Sequence, residues 1–137
     1  MYKVMLVDDE KLILQGVLNI IDWDKLGLKI THMVQNGKEA LEKYDEEPVD
    51  IIITDINMPV INGLELIKSI KEKNKKVKFI VLSGYDDFNY AKQAIGIGVE
   101  DYLLKPITKN ALIERLSEIR SRYEHEKTQK EYYEKFF

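Results

Sequence analysis

The chain contains no cysteine, which excludes disulfides and thiolate metal sites and suits the cytosol. Its two histidines, His32 and His125, and its one tryptophan, Trp23, stand in no motif that carries chemistry. His32 falls inside an expected strand and reads as structural or exposed. No apolar run approaches the ~20 residues needed to span a membrane. Met1-Tyr2-Lys3 leads straight into an apolar strand without a signal-peptide pattern, so a soluble, cytoplasmic protein is expected. Neither sign of charge dominates: 21 basic against 24 acidic residues leave a net charge of −3. That balance argues against this segment gripping nucleic acid by itself. What is present is ordinary for a folded domain. Of 137 residues, 45% are apolar and 33% charged, enough for one domain with a real core and no staples.

Apolar periodicity divides the chain cleanly. Val4 to Val7 is a short apolar run closed by Asp8-Asp9, a buried strand by pattern. Lys11 to Ile21 carries Ile13, Leu14, Val17, Leu18 and Ile21 at helical spacing. Leu28 to Val34 reads as a second strand and Gly37 to Tyr44 as a second helix. Val49 to Thr54 follows as a strand, where Ile51-Ile52-Ile53 implies burial on both faces. Gly63 to Lys73 reads as a helix, Val77 to Leu82 as a strand, Asp86 to Ile97 as a fourth helix, and Tyr102 to Leu104 as a fifth strand. A last helix starts near Thr108, a suitable N-cap. Strand and helix alternate five times, which predicts an α/β fold: a five-stranded parallel sheet with helices on both faces.

Ligands of such open sheets bind beyond the carboxyl ends of the strands. Asp8, Asp9 and Glu10 follow the first strand and Asp55 the third; Ser83-Gly84 follows the fourth and Lys105-Pro106 the fifth. Carboxylates, a hydroxyl and an ammonium therefore meet along one edge. Asp8, Asp9 and Asp55 cannot all ionise close together without repulsion that raises their pKa values. A divalent cation removes the conflict, and an all-oxygen donor set points to Mg²⁺ or Mn²⁺. A carboxylate can then act as nucleophile toward a phosphoryl group and become an aspartyl phosphate. Lys105 and Ser83 are the donors available for the transferring oxygens.

These residues carry a family likeness. Over roughly residues 2 to 120 the chain resembles the receiver domain of two-component response regulators. The matching pieces are Val7-Asp8-Asp9-Glu10, Thr54-Asp55-Ile56-Asn57-Met58-Pro59, Asn62-Gly63, Leu82-Ser83-Gly84 and Tyr102-Leu103-Leu104-Lys105-Pro106. Each is weak alone; five in order at strand ends are specific. The resemblance implies a flavodoxin-like, doubly wound sheet of order 2-1-3-4-5. It implies that Asp9 and Asp55 bind the cation through side chains, Asn57 through its backbone carbonyl, and Asp8 through water and hydrogen bonds. Asp55 is the implied phosphoacceptor, with the phosphohistidine of a sensor histidine kinase as donor. Ser83 and Tyr102 are the implied switch pair, and the Lys105-Pro106 bond is implied to be cis. The expected function is thus a phosphoacceptor switch that assists its own phosphorylation and dephosphorylation, not an enzyme with turnover on a separate substrate.

Blander readings compete at each position. Asp8 and Asp9 could cap the first helix, Asp55 could end a turn, Ser83-Gly84 could be turn chemistry, Lys105 could be a solvated lysine, and Tyr102 could be core. Gly63 and Met58-Pro59 read as loop-shaping. Three rival functions fit less well. A haloacid-dehalogenase-type phosphatase carries its D-x-D on the first strand, whereas Asp55-Ile56-Asn57 is mid-chain and lacks the second acid. A flavodoxin-like electron carrier would meet an acidic first loop that repels a flavin phosphate. A binding module that is never phosphorylated would lack one of Asp55, Lys105 or the acidic pair.

The long link Asp22 to Gly27, together with Ser83-Gly84-Tyr85-Asp86-Asp87-Phe88, is similar to receivers joined to AraC-type DNA-binding domains. Residues 1–120 are expected to form the receiver, and 121–137 a helical extension toward an output domain outside this chain. Leu112, Leu116, Ile119, Tyr123, Tyr133 and Phe137 fall on one heptad seam, interrupted by Glu126 and Lys130. The segment reads as an extended last helix or linker that frays, with a dimer-forming coil as the alternative. A homodimer on phosphorylation, governed by the surface of the fourth helix, fifth strand and fifth helix, is a further expectation.

Overall fold

The computed structural model describes residues 1–84, 92, 93, 96 and 101–137. Among the described residues there are five strands: β1 (Tyr2–Val7), β2 (Leu28–Val34), β3 (Ile51–Asp55), β4 (Lys78–Ser83) and β5 (Asp101–Leu104). They pair in the order β2-β1-β3-β4-β5, and every pairing is parallel. The described helices are α1 (Lys11–Ile20), α2 (Gly37–Glu46), α3 (Gly63–Lys73) and α4 (Lys109–Phe136). Apart from residues 92, 93 and 96, the helix expected over 86–97 lies outside the described residues, as do residues 85–88 of the second AraC-like motif.

Successive strand residues point to opposite faces, and this splits the core in two. Met5, Val7, Ile52, Phe79 and Val81 pack with Ala40 and Tyr44 of α2 and Leu64, Ile67 and Ile70 of α3. Val4, Leu6, Ile51, Ile53, Ile80 and Leu82 pack with Leu14 and Val17 of α1 and Leu112, Leu116 and Ile119 of α4. Because helices cover both faces, β3 is buried along its whole length. That explains the unbroken isoleucine run, which a sheet open to water on one face would have interrupted.

Local chemistry sets the helix starts. The Asn36 side chain accepts from Glu39 N at 2.7 Å, opening α2. Asn62 accepts from Glu65 N at 2.9 Å while Glu65 accepts from Asn62 N at 3.1 Å, a reciprocal capping box for α3. Thr108 accepts from Ala111 N at 3.2 Å, which bears out the N-cap expected there. The register of β1 against β2 slips between Val4 and Met5, leaving Thr31 as the extra residue. The Thr31 hydroxyl donates to the Val4 carbonyl at 3.4 Å, a long bond at the irregular step.

Several bounds differ from the sequence pattern. β3 ends on Asp55 and β4 on Ser83, because the backbone ladder continues past the last apolar side chains, Ile53 and Leu82. The Asp22–Gly27 link holds a 3₁₀ turn, Asp24–Leu26, that ends on Gly27 with φ 73°. Trp23 in that link is buried and donates its indole N–H to the Leu18 carbonyl at 2.9 Å. No described helix is long and apolar enough to cross a membrane.

Candidate functional site

Parallel register carries the site residues to one edge. Val7 pairs with Thr54 and Asp55 with Leu82, while Ser83 pairs with Leu104. Asp8, Asp55, Ser83 and Lys105 therefore finish four adjacent strands at nearly one level. Asp8 is 1% exposed, Asp55 4% and Ser83 1%. The Lys105 ammonium sits between the two buried acids, 3.1 Å from Asp8 Oδ2 and 3.3 Å from Asp55 Oδ1, with Glu10 Oε1 at 4.0 Å. Lys105 is held there by its own backbone, whose N–H donates to the Ser83 carbonyl at 2.8 Å. The Lys105-Pro106 peptide is cis, as the resemblance implied.

Burial and mutual repulsion dominate the electrostatics. Burial, reinforced by the Asp8 charge and only partly countered by Lys105, pushes the Asp55 carboxyl up to about 6. Burial also raises Asp8, against the Glu10 backbone N–H donated to Asp8 Oδ1 at 2.9 Å and the Lys105 charge. Burial alone would lower Lys105; the Asp55 and Asp8 charges more than offset it, and its pKa is raised. One ammonium thus serves two buried carboxylates and relieves each only in part.

Asp8, Asp9 and Glu10 bring one carboxylate oxygen each to within 4.8 Å of one another. Asp9 and Glu10 are exposed while Asp8 is buried. Glu10, expected on the helix rim, stands at the N-cap of α1 without making a side-chain cap bond. Its carboxylate joins the acidic group, a placement that three consecutive acids already hinted at. Asn57 is exposed in the loop two residues past Asp55. The Ser83 hydroxyl is buried and has no hydrogen-bond partner among the described residues. A buried hydroxyl in that condition is costly, and oxygen-rich acids beside it suit a hard cation and a phosphoryl group together. Tyr102 pairs in register with Val81 and so shares a sheet face with Ser83, two residues farther along. It is 37% exposed, which disposes of the core reading.

The loop after β3 is built around Gly63. A Cβ there would lie 2.5 Å from the Asp55 carbonyl oxygen and 2.8 Å from Ile56 Cα, so only glycine lets α3 start this close. Gly63 N donates to the Ile56 carbonyl at 2.9 Å, and Ile56 N to the Leu82 carbonyl at 3.0 Å. Both bonds fix the backbone next to Asp55.

Comparison with known proteins agrees with this arrangement. The response regulator receiver domain model matches residues 4–117. The chain belongs to the response regulator receiver family. Among curated relatives of this receiver, the uncharacterized transcriptional regulatory protein YesN of Bacillus subtilis is 48% identical over 119 residues, 87% of this chain and 32% of that protein. The transcriptional regulatory protein HptR of Staphylococcus aureus is 40% identical over 107 residues, 78% of this chain and 42% of that protein. The receiver therefore spans less than half the length of these relatives. Among solved structures, the receiver domain of AraT, a response regulator from Geobacillus stearothermophilus, superposes with a TM-score of 0.88 at 37% identity. That match covers 92% of this chain and 98% of the other. A two-component transcriptional regulator AraC from Clostridium phytofermentans gives 0.82 at 29% identity, covering 88% and 94%. Membership makes this chain the receiver of a two-component response regulator, a class of phosphoacceptor switch whose members bind Mg²⁺ at an acidic cluster.

Proposed function

We propose that this receiver takes a phosphoryl group on Asp55 from the phosphohistidine of a sensor histidine kinase, and that this controls a DNA-binding output domain outside the chain. The observation that carries the reading is the buried pair Asp8 and Asp55 joined by Lys105, beside the Ser83 hydroxyl, which has no hydrogen-bond partner among the described residues. Asp9 and Asp55 side chains and the Asn57 carbonyl would hold Mg²⁺, or Mn²⁺, with Asp8 acting through water. The ion, when bound, neutralises charge on the transferring oxygens. An Asp55 oxygen attacks phosphorus, the bond to the histidine nitrogen breaks, and that nitrogen leaves with the electron pair and takes up a proton. Lys105 exchanges one carboxylate contact for a phosphoryl oxygen, and Ser83 donates its hydroxyl to another.

Phosphorylation adds roughly −1.5 to −2 charge. In this reading Ser83 is drawn toward it, the Tyr102 ring turns into the space vacated, and the surface around β5 changes. Both states pre-exist and phosphorylation shifts their populations. Residues 1–120 form the switching unit and 121–137 the path outward, in a cytoplasmic protein that dimerises when phosphorylated. The test uses acetyl phosphate and Mg²⁺ followed by mass spectrometry. Wild type gains one phosphoryl group, chelation abolishes the gain, and Asp55→Ala shows none. Undiminished labelling of Asp55→Ala refutes the assignment.

A further inference from the structure

The backbone that carries Asp55 into its loop is held by two bonds from other backbone groups and by one from a side chain. Thr54 is 0% exposed, and its hydroxyl donates to the carbonyl of the next residue, Asp55, at 2.9 Å. The backbone bonds run from Ile56 N to the Leu82 carbonyl and from Gly63 N to the Ile56 carbonyl. Alternation along β3 puts the Thr54 side chain on the face of Ile52, beneath α2 and α3, and the Asp55 side chain on the other.

Threonine is a natural strand residue, and a buried hydroxyl must find an acceptor. Those facts account for a bond but not for this acceptor. β1 pairs with β3 as far as Thr54, while β4 pairs on through Asp55. At Asp55 the strand has therefore lost its ladder on the β1 side, and the Thr54 hydroxyl meets the carbonyl at that step. Each peptide unit is a rigid plane. The plane joining Asp55 to Ile56 is held at its oxygen by Thr54 and at its nitrogen by the Leu82 carbonyl. The next plane is held at the Ile56 oxygen by Gly63, and the one after it carries the Asn57 carbonyl. A swing of the first plane would pass along the chain to that carbonyl and, through Cα, to the Asp55 carboxylate.

We propose that Thr54 is a positioning residue for the cation: its hydroxyl, by holding the Asp55 carbonyl, fixes the turn that presents the Asp55 carboxylate and the Asn57 carbonyl. The inference rests on the cation site of the proposed function and adds a residue outside its ligand set. The χ1 angle of a β-branched side chain is stiff, so the hydroxyl is aimed before any ion arrives and little ordering remains for binding to do. Groups that orient metal ligands in this way matter to affinity almost as much as the ligands themselves.

Isothermal titration calorimetry of the whole chain with Mg²⁺ tests this. Thr54→Val keeps the branched shape and removes the donor, and affinity should fall about tenfold or more. In the metal-free chain the same variant should exchange the Ile56 and Gly63 amide protons faster, with those of Ile52 and Ile53 unchanged. Thr54→Ser keeps the hydroxyl and gives up the methyl, and should stay within about threefold of wild type. Thr54→Ala gives up both and should lose affinity as Thr54→Val does. A role in packing alone would instead set Thr54→Ser beside Thr54→Ala, and this pair decides the matter even if Thr54→Val does not fold. Wild-type Mg²⁺ affinity in Thr54→Val overturns the inference, as does a Thr54→Ser that loses as much as Thr54→Ala. A wild type that binds no Mg²⁺ even at millimolar concentration refutes the cation site itself, and the inference falls with it.

Discussion

Asp55→Asn should make the metal-free receiver more stable at neutral pH. The native carboxyl is pushed from its ordinary 3.8 up to about 6, so the native state holds this proton more tightly than the unfolded chain does. Stability contributed by Asp55 is therefore highest below about pH 4 and declines as pH rises to about 6. Above that it stays at the lower level, because both states are ionised. A rise of about two units corresponds to about 3 kcal/mol at most. Water reaching the outer oxygens screens part of this, leaving about 1–2 kcal/mol. Asparagine keeps the shape of the neutral acid and never ionises. Urea unfolding in EDTA should show the variant more stable by that amount at pH 7.5, with the difference vanishing by pH 4. Saturating Mg²⁺ should shrink the gain, since the cation offsets the same repulsion. A variant less stable than wild type at pH 7.5 would refute the reasoning, because the 3.3 Å contact with Lys105 would then outweigh burial. A gain that persists at pH 4 would also refute it, by pointing to packing in place of charge.

Lys105→Met removes the ammonium shared by Asp8 and Asp55 and should cost about 2–4 kcal/mol at pH 7.5 without metal. Urea melts across pH should show the loss fading below about pH 5, as the stranded carboxyls take up protons. Gly63→Ala sets a methyl 2.5 Å from the Asp55 carbonyl oxygen and should cost about 2–3 kcal/mol; a loss below about 0.5 kcal/mol in the same assay would contradict the close approach. Val60 is 92% exposed with φ 66°, a conformation that β-branched residues adopt only under strain. Val60→Gly should therefore raise stability by about 1 kcal/mol, and a lowered thermal midpoint would refute that strain.

The fold was legible because two signals coincided: apolar runs too short for helices, and helical stripes between them. The site was legible for a related reason. In a parallel sheet covered on both faces, chemistry can sit only past the strand ends, and those positions are few enough to read one by one. What pattern reading missed lies where backbone geometry decides. Asp55 and Ser83 belong to the strands, since a ladder bond is indifferent to side-chain polarity. Glu10 reaches the acidic group because α1 starts without a side-chain cap there. The contacts that tie the last helix to the sheet past residue 120 were not legible because they are polar and long-range: Tyr123 meets the Asp50 and Lys76 carbonyls, and Lys78 meets Glu126 across 48 positions. No periodicity announces a hydroxyl that reaches another strand's carbonyl.

Burial at the site and burial in the core have one cause. β1, β3 and β4 are covered on both faces, so Asp8, Asp55 and Ser83, as the last or next residue of each, are covered too. Had any of these strands stopped two residues earlier, its polar residue would lie in solvent with an ordinary pKa and a hydrated hydroxyl. The extra length is what raises Asp55 and leaves Ser83 without a described partner. It also brings Lys105 within reach of both acids, since the β4–β5 register sets the Lys105 backbone against Ser83. The same core that stabilises the domain thus holds its polar edge in an unfavourable state. In the proposed reading a cation and a phosphoryl group relieve it, and that reading therefore rests on this edge and not on the larger apolar surfaces elsewhere.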